Sequence, residues 1–258
     1  MKKPLILITN DDGIQSPGIK NLINWARPFG EIWVVAPASP RSGASHSISM
    51  GDPLRVEPVS IFHREVRTYK CNGTPVDCIK IARSHLMKSS PPDLILSGIN
   101  HGDNTSISVL YSGTVSAAIE GSLGNVPSLA FSLCDYDEKA NMTHIEDPLK
   151  EILRRSLDRS LPKSTMLNVN FPIYDSQNPI RGIRVCRQTK ARWQEYFEPR
   201  TDLQHREYLW MDGKFEEDEN SEKHLDRQAI RERYVSIVPC QPDMTNYALL
   251  DILQKKWT

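Results

Sequence analysis

The sequence carries no surplus of charge. Lys and Arg together count 32, and Asp and Glu also count 32, so the chain is formally neutral. Proteins that grip nucleic acid or lie on anionic membranes are usually basic, so neither a nucleic-acid duplex nor a membrane is an expected partner. Long apolar runs are missing too. Nothing approaches the roughly 18 residues of a membrane span. Met1-Lys2-Lys3-Pro4 before Leu5-Ile6-Leu7-Ile8 has the look of a secretory leader. Its apolar stretch stops at Ile8, short of the about seven residues that such a leader needs. Cysteines are few and no Cys-x-x-Cys occurs. The five, Cys71, Cys78, Cys134, Cys186 and Cys240, are odd in number and scattered. That pattern argues for buried free thiols in a reducing compartment. A soluble, cytoplasmic protein is expected. Internal repeats, low-complexity tracts, a Walker A sequence and a Gly-x-Gly-x-x-Gly fingerprint are all absent.

What is present is alternation. At 258 residues the chain can bury a full core as one α/β domain. Residues 4–10 read as a strand. Ser16 and Pro17 make a helix start, with Ser as N-cap and Pro in the first turn. Ile19, Leu22, Ile23 and Ala26 recur at helical spacing toward Gly30. Ile32–Ala36 is nearly all apolar, as a strand covered on both faces should be. A loop of small residues fills 37–47, and 54–71 read as two strands of antiparallel type. Asn72-Gly73-Thr74-Pro75 turns into a helix through Ile79, Ile81 and Ala82. Asp93–Ser97 is another buried strand, ending in Gly98-Ile99-Asn100. Ser112–Leu123 reads as a helix of small residues and Val126–Phe131 as a strand. A helix near 145–160 and a strand at 166–171 follow. This rhythm predicts a mostly parallel sheet with helices on both faces. Ligands of such sheets sit beyond the carboxyl ends of the strands.

Past residue 185 the character changes. Residues 186–240 are rich in charge and in aromatics, among them Trp193, Tyr196, Phe197, Tyr208 and Trp210. Glu216–Glu219 and Glu222–Arg233 are charged runs. Tyr234–Cys240 reads as a strand and Tyr247–Leu253 as a short terminal helix. We therefore expect a catalytic core over 1–185 and a hairpin-like arm over 186–258, within a single domain. Such arms commonly pair or exchange between subunits, so an oligomer is expected.

Four segments carry chemistry. Thr9-Asn10-Asp11-Asp12-Gly13 ends the first apolar strand on two carboxylates. Carboxylates bind hard cations, and Gly13 permits the turn that would let both reach one ion. The plainer reading is an Asx-turn closing the strand. Ser39-Pro40-Arg41-Ser42-Gly43-Ala44-Ser45 suits the approach of a ligand to backbone N–H groups, or is an ordinary surface loop. Ser97-Gly98-Ile99-Asn100-His101-Gly102-Asp103-Asn104 delivers the neutral oxygen of Asn100 to the same edge. Asn104 is a candidate substrate contact there, and His101 is either another or a solvated loop histidine. Tyr111-Ser112-Gly113-Thr114 opens a helix, where N–H groups and the helix dipole favour an anion. Ser112 serves equally well as a plain N-cap. Taken together, a divalent cation beside a phosphate cradle points to metal-assisted hydrolysis of a phosphate ester.

Ile-Leu-Ile-Thr-Asn-Asp-Asp-Gly (6–13), Arg-Ser-Gly-Ala-Ser (41–45), Asn-Gly-Thr-Pro-Val-Asp (72–77), Ser-Gly-Ile-Asn-His-Gly (97–102) and Tyr-Ser-Gly-Thr-Val-Ser-Ala-Ala-Ile-Glu-Gly (111–121) closely resemble the SurE survival-protein family. Its members are 5′/3′-nucleotidases, nucleoside monophosphate phosphohydrolases. Tyr-Val-Ser-Ile-Val-Pro (234–239) and Asp-Met-Thr-Asn-Tyr (243–247) extend the resemblance through nearly the whole chain. It implies metal ligands at Asp11, Asp12, Ser42 and Asn100, and further active-site positions at Asn104 and Ser112. It implies a Rossmann-like, three-layer α/β core whose C-terminal arm is exchanged in a homodimer or homotetramer. Three departures stand out. Arg233 replaces the family's usual Gly, Cys240 replaces a common Leu, and Thr105–Val109 is less acidic than in many members.

The expected reaction is hydrolysis of nucleoside 5′-monophosphates, and of 3′-monophosphates, with one Mg²⁺ or Mn²⁺ per subunit. Ser112, Gly113, Thr114 and Asn104 would hold the phosphate. Asp11 or Asp12 would orient or deprotonate the attacking water. Two other mechanisms compete with it: a covalent aspartyl-phosphate route with Asp11 as nucleophile, and a non-catalytic nucleotide-binding module.

Overall fold

Five consecutive buried residues, Leu5–Thr9, form the first strand, β1. Their side chains alternate across the sheet. Ile6 and Ile8 enter one apolar cluster and Leu5 and Leu7 the other. A strand apolar on both sides demands cover on both sides, at about 1.5–3 kcal/mol for each large side chain buried. A computed structural model describes residues 3–158, 161–217 and 224–257 and provides that cover.

On the first face Ile6 and Ile8 meet Ile19, Leu22 and Ile23 of helix α1 (Pro17–Ala26) and Leu149, Ile152 and Leu153 of α4 (Glu146–Asp158). On the second, Leu5 and Leu7 meet Cys78 and Ile79 of α2 (Pro75–Ile81) and Ala117 of α3 (Gly113–Leu123). Ser16 caps α1, its side chain accepting from Ile19 N, and a proline follows at once. The α-helix ends at Ala26 rather than running on toward Gly30. Arg27–Phe29 tighten into a 3₁₀ turn, because Pro28 has no N–H to continue the ladder. Thr74 and Asp77 form a reciprocal capping box at the start of α2.

The remaining strands are β2 (Glu31–Pro37), β3 (Val56–Pro58), β4 (Arg67–Cys71), β5 (Leu94–His101), β6 (Ser128–Leu133), β7 (Met166–Phe171), β8 (Gly182–Val185) and β11 (Tyr234–Cys240). With β1 they make a nine-stranded sheet in the order β3-β4-β2-β1-β5-β6-β7-β11-β8. From β4 to β7 every pairing is parallel. Strand β3 joins antiparallel at one edge, and β11 joins antiparallel to β7 near the other. Strand β6 lies two residues beyond the sequence expectation, since Pro127 offers only its carbonyl, which Ile95 N takes at 3.0 Å. Strand β1 has β2 on one side and β5 on the other, so the topology reverses beside it. In open α/β sheets that reversal leaves a crevice beyond the strand ends.

Strands β9 (Ala191–Thr201) and β10 (Glu207–Glu217) form a separate antiparallel hairpin, and α6 (Tyr247–Trp257) ends the described chain with no buried residue. Between them α5 (Asp226–Arg231) returns the chain to the sheet. Residues 218–223 of the charged runs lie outside the described residues. All five cysteines are free, and Cys71, Cys78 and Cys186 are buried. Among the described residues no helix is long and apolar enough to cross a membrane.

Candidate active site

Burial continues past the end of β1. Asn10 is fully buried and Asp11 only 4% exposed. The Asn10 side-chain amide donates to Gly13 O and to Ser16 Oγ, both at 2.9 Å, and folds the chain back on itself. Gly13 sits at φ +90°, and a Cβ there would stand 3.2 Å from the Ser39 carbonyl carbon. The turn therefore requires glycine.

The turn sends the two carboxylates to different neighbours. Asp11 Oδ1 accepts from the Thr114 hydroxyl at the start of α3. Asp12 Oδ2 takes the His101 backbone N–H at 3.4 Å, at the end of β5. Burial pushes the Asp11 carboxyl up to about 6, with the Thr114 hydrogen bonds opposing and the Asp12 charge adding to the rise. Burial also raises Asp12, where the His101 N–H opposes and Glu138 adds. Among the described residues neither carboxylate has an ion-pair partner, and no three His, Cys, Asp or Glu side chains gather into a cluster. An uncompensated pair of this kind is costly. The two carboxylates could hold a cation.

Helix α3 reaches Asp11 because its first residues are small. A Cβ on Gly113 would lie 2.9 Å from Asp11 Cβ and 3.0 Å from Asp11 Oδ2. Ser112 caps the helix by accepting Val115 N at 3.1 Å, which leaves its own hydroxyl hydrogen free to donate. The sequence grouped Thr114 with the phosphate cradle. In the structure its hydroxyl is given to Asp11, so the donors still available at this helix start are the Ser112 hydroxyl and the Gly113 N–H, which has no acceptor within the helix.

Asn100 lies where the β5–β6 register shifts, between Ser97 and Asn100. Such a bulge re-aims a side chain. Its amide nitrogen donates to His101 O at 3.2 Å and Gly102 O at 2.9 Å, leaving Oδ1 as an open acceptor. Ser42 is exposed, yet its loop is tethered on several sides. Arg41 N donates to Asp11 O at 2.7 Å and Ser45 Oγ to Leu110 O at 2.6 Å. Farther along, Ser49 donates to Asp77 through N and Oγ at 3.1 and 2.7 Å. The half-buried His46 meets Glu120 of α3 at 3.2 Å, and Lys80 of α2 holds the other Glu120 oxygen at 2.7 Å. Ser42, Asp12, His101, Tyr136 and Glu138 line one cleft of about 560 Å³.

Asn104 is 6% exposed and centres a network that the motifs did not reveal. Its side-chain nitrogen donates to Ser132 Oγ at 2.8 Å, its backbone N to Asn170 Oδ1 at 2.8 Å, and its carbonyl accepts from Asn168 Nδ2 at 2.7 Å. Asn168 and Asn170 alternate with apolar residues along a fully buried stretch of β7. Polar residues at period two in such a strand were the available clue. A second anchor also escaped notice. Fully buried Asp226 accepts from Ser106 N at 2.9 Å and from Thr189 N at 3.0 Å, and Arg227 reaches Asp103 at 3.4 Å. The arm's base thus pins the loop after β5.

Comparison with known proteins gives the family. The family described as survival protein SurE matches residues 6–195. A protein of Cytophaga hutchinsonii named 5′-nucleotidase SurE is 48% identical over 257 residues, covering 100% of this chain and 98% of its own. One of the same name from Flavobacterium psychrophilum is 43% identical, covering 98% and 97%. The crystal structure of the SurE protein from Aquifex aeolicus superposes with a TM-score of 0.82 at 34% identity, covering 99% of this chain and 100% of that one. Over its full length and in its fold, the chain belongs to the SurE family.

Proposed function

We propose that this protein is a metal-dependent phosphatase that hydrolyses nucleoside 5′-monophosphates, and 3′-monophosphates, to nucleoside and phosphate. The observation that carries this reading is the contact between α3 and Asp11. A helix start with free donors abuts a buried, uncompensated carboxylate, so an anion site and a cation site share a wall. The name shared by the curated relatives, 5′-nucleotidase SurE, agrees with it.

The residues fit a hard divalent ion. Asp11, Asp12, the Asn100 Oδ1 and the Ser42 hydroxyl form an all-oxygen set, which suits Mg²⁺ or Mn²⁺. When bound, such an ion supplies charge neutralisation at the phosphate and acidifies a water. The protein's own groups do the rest. Thr114 and the His101 N–H fix the two carboxylates. Ser112 and Gly113 donate to phosphate oxygens at the positive end of α3, and Asn104, held rigid by Ser132 and Asn170, supports them. Asp11 Oδ1 is engaged by Thr114, whereas Asp12 opens on the cleft. We therefore assign Asp12 to orient the attacking water and take its proton.

Residues 1–185 act in this reading as the catalytic core and 186–258 as an arm that joins chains into a homodimer or homotetramer. The cross-strand pairs Trp193–Phe215, Phe197–Met211 and Pro199–Leu209 put an apolar face on the hairpin, and Phe197, Leu209 and Met211 are more than half exposed. Cytoplasmic residence goes with the five free thiols. The deciding experiment is a phosphate-release panel over 5′- and 3′-nucleoside monophosphates with Mg²⁺, Mn²⁺ or chelator. Release that needs a divalent ion is the expected result. No release with any of these ions rejects the reading.

A further inference from the structure

We propose that Tyr136 is the platform on which the base of the substrate stacks, a step that rests on the nucleotide reading above. Tyr136 follows β6 and lines the cleft that also holds Asp12 and Ser42. Its ring is fixed at both ends. The hydroxyl donates to Asp103 Oδ1 at 2.8 Å, and Asp103 is itself held by the Thr105 hydroxyl and by Arg227. The ring edge packs on the bare Cα of Gly102, where a Cβ would lie 2.5 Å from Cε1 and 2.8 Å from Cδ1. Gly102 has φ +102°, so no larger residue enters that position without strain.

A ring so well tethered would normally be buried, yet Tyr136 is 73% exposed. Its tethers fix a direction without hiding the surface. The other walls of the cleft are carboxylate, hydroxyl, amide, imidazole and proline, so Tyr136 is the one phenol ring they present. The cleft volume of about 560 Å³ falls in the roughly 300–1,000 Å³ range that holds small ligands. Because Tyr136 shares the cleft with Asp12 and Ser42, a nucleotide whose phosphate is held beside Asp12 has its base placed within this cleft, where Tyr136 is the ring on offer. Rigid aromatic faces bind any base by stacking and gain most from the larger purines. A second aromatic slot of about 400 Å³ lies between Tyr111, Trp193 and Met211. It faces the hairpin rather than the cleft of Asp12, and no hydrogen bond orients the Tyr111 hydroxyl among the described residues. Tyr136 is therefore the better platform.

The test compares wild type, Tyr136→Ala, Tyr136→Phe and Tyr111→Ala on AMP, UMP and ribose 5-phosphate with Mn²⁺ present, each variant first checked for an unchanged thermal transition. Ribose 5-phosphate has the reacting group and the sugar but no base. Tyr136→Ala should raise KM for AMP by about five- to a hundredfold, and that for UMP by less. The preference for AMP over ribose 5-phosphate should fall with it. Tyr136→Phe, which keeps the ring, should retain most of that preference. An unchanged preference in Tyr136→Ala overturns the proposal, as does a collapse in Tyr111→Ala instead. Wild-type protein that hydrolyses ribose 5-phosphate as well as AMP would sink the nucleotide reading itself, a result separable from either.

Discussion

Strand β1 and the hairpin β9–β10 use similar residues to opposite ends. Every residue of β1 is buried, because Leu5, Ile6, Leu7 and Ile8 find helices on both faces. In β9 no residue is buried, although Trp193 and Phe197 are large and apolar. The register explains the contrast. One hairpin face collects Trp193, Phe197, Leu209, Met211 and Phe215. The other is more polar, with Arg192 paired to Glu216 at 3.0 Å and Tyr196 to Asp212 at 2.7 Å, though it also carries Tyr208 and Trp210. An apolar strand in β1 is answered within the chain. The apolar face of the hairpin asks for a surface from outside it. In the function proposed above, activity is built at the end of the satisfied strand and association on the unsatisfied one.

The strongest way to break the β1 side is Asp11→Asn. Phosphate release should fall roughly a thousandfold or more, since an ion site supplies several kcal/mol to such reactions, with the far-ultraviolet circular dichroism unchanged. Ser112→Ala comes next. Losing a preorganised donor should lower the rate roughly a hundredfold, and losing the cap should cost about 1 kcal/mol in urea unfolding. The third measure is stability against pH in chelator. The Asp11 carboxyl ionises near 3.8 when unfolded and near 6 when folded. The folded state therefore binds more protons between those values, and stability must fall as pH rises through them. The loss should reach about 3 kcal/mol by pH 7, and Asp11→Asn should flatten it. On the hairpin side, Phe197→Glu with Met211→Lys keeps an opposed cross-strand pair but removes the apolar face. Sedimentation should show association weakened at least about thirtyfold. The smallest effect is expected at Arg233. It sits at φ +68° with a buried guanidinium nitrogen that lacks a partner. Arg233→Gly should raise stability by about 0.5–1 kcal/mol, the relief of a left-handed residue less the loss of its bond to Asn178 O.

The sequence revealed what is local. The run to Ile8, the Ser16-Pro17 cap, the Thr74 turn and the Ser112 helix start each write their signal in neighbouring residues, and the elements formed there. Pairing over distance was not legible. Nothing in Tyr234–Cys240 says that it enters the sheet between β7 and β8, antiparallel to the first and parallel to the second, because a strand's partner is chosen by the whole core. The short helix α5, inside the charged run Glu222–Arg233, carries too little periodicity to announce itself. The candidate site divides the same way. Asp11, Asp12 and Asn100 stand out as polar residues at apolar strand ends. The grip of Thr114 on Asp11 depends on how closely α3 approaches β1, and only the folded backbone fixes that. Tyr136 carried no sequence mark at all, since a tyrosine in a polar loop is usually just solvated.

The hydrogen bond from Thr114 to Asp11 joins residues 103 positions apart, and that from His101 to Asp12 spans 89. Closing loops of that length is slow, and proteins dominated by distant pairings fold late and cooperatively. The first contact needs α3 docked against β1, and the second needs β5 beside it. The complete pair of contacts therefore exists only once both β5 and α3 have docked on β1, so any activity that needs both carboxylates in place reports late assembly of the chain.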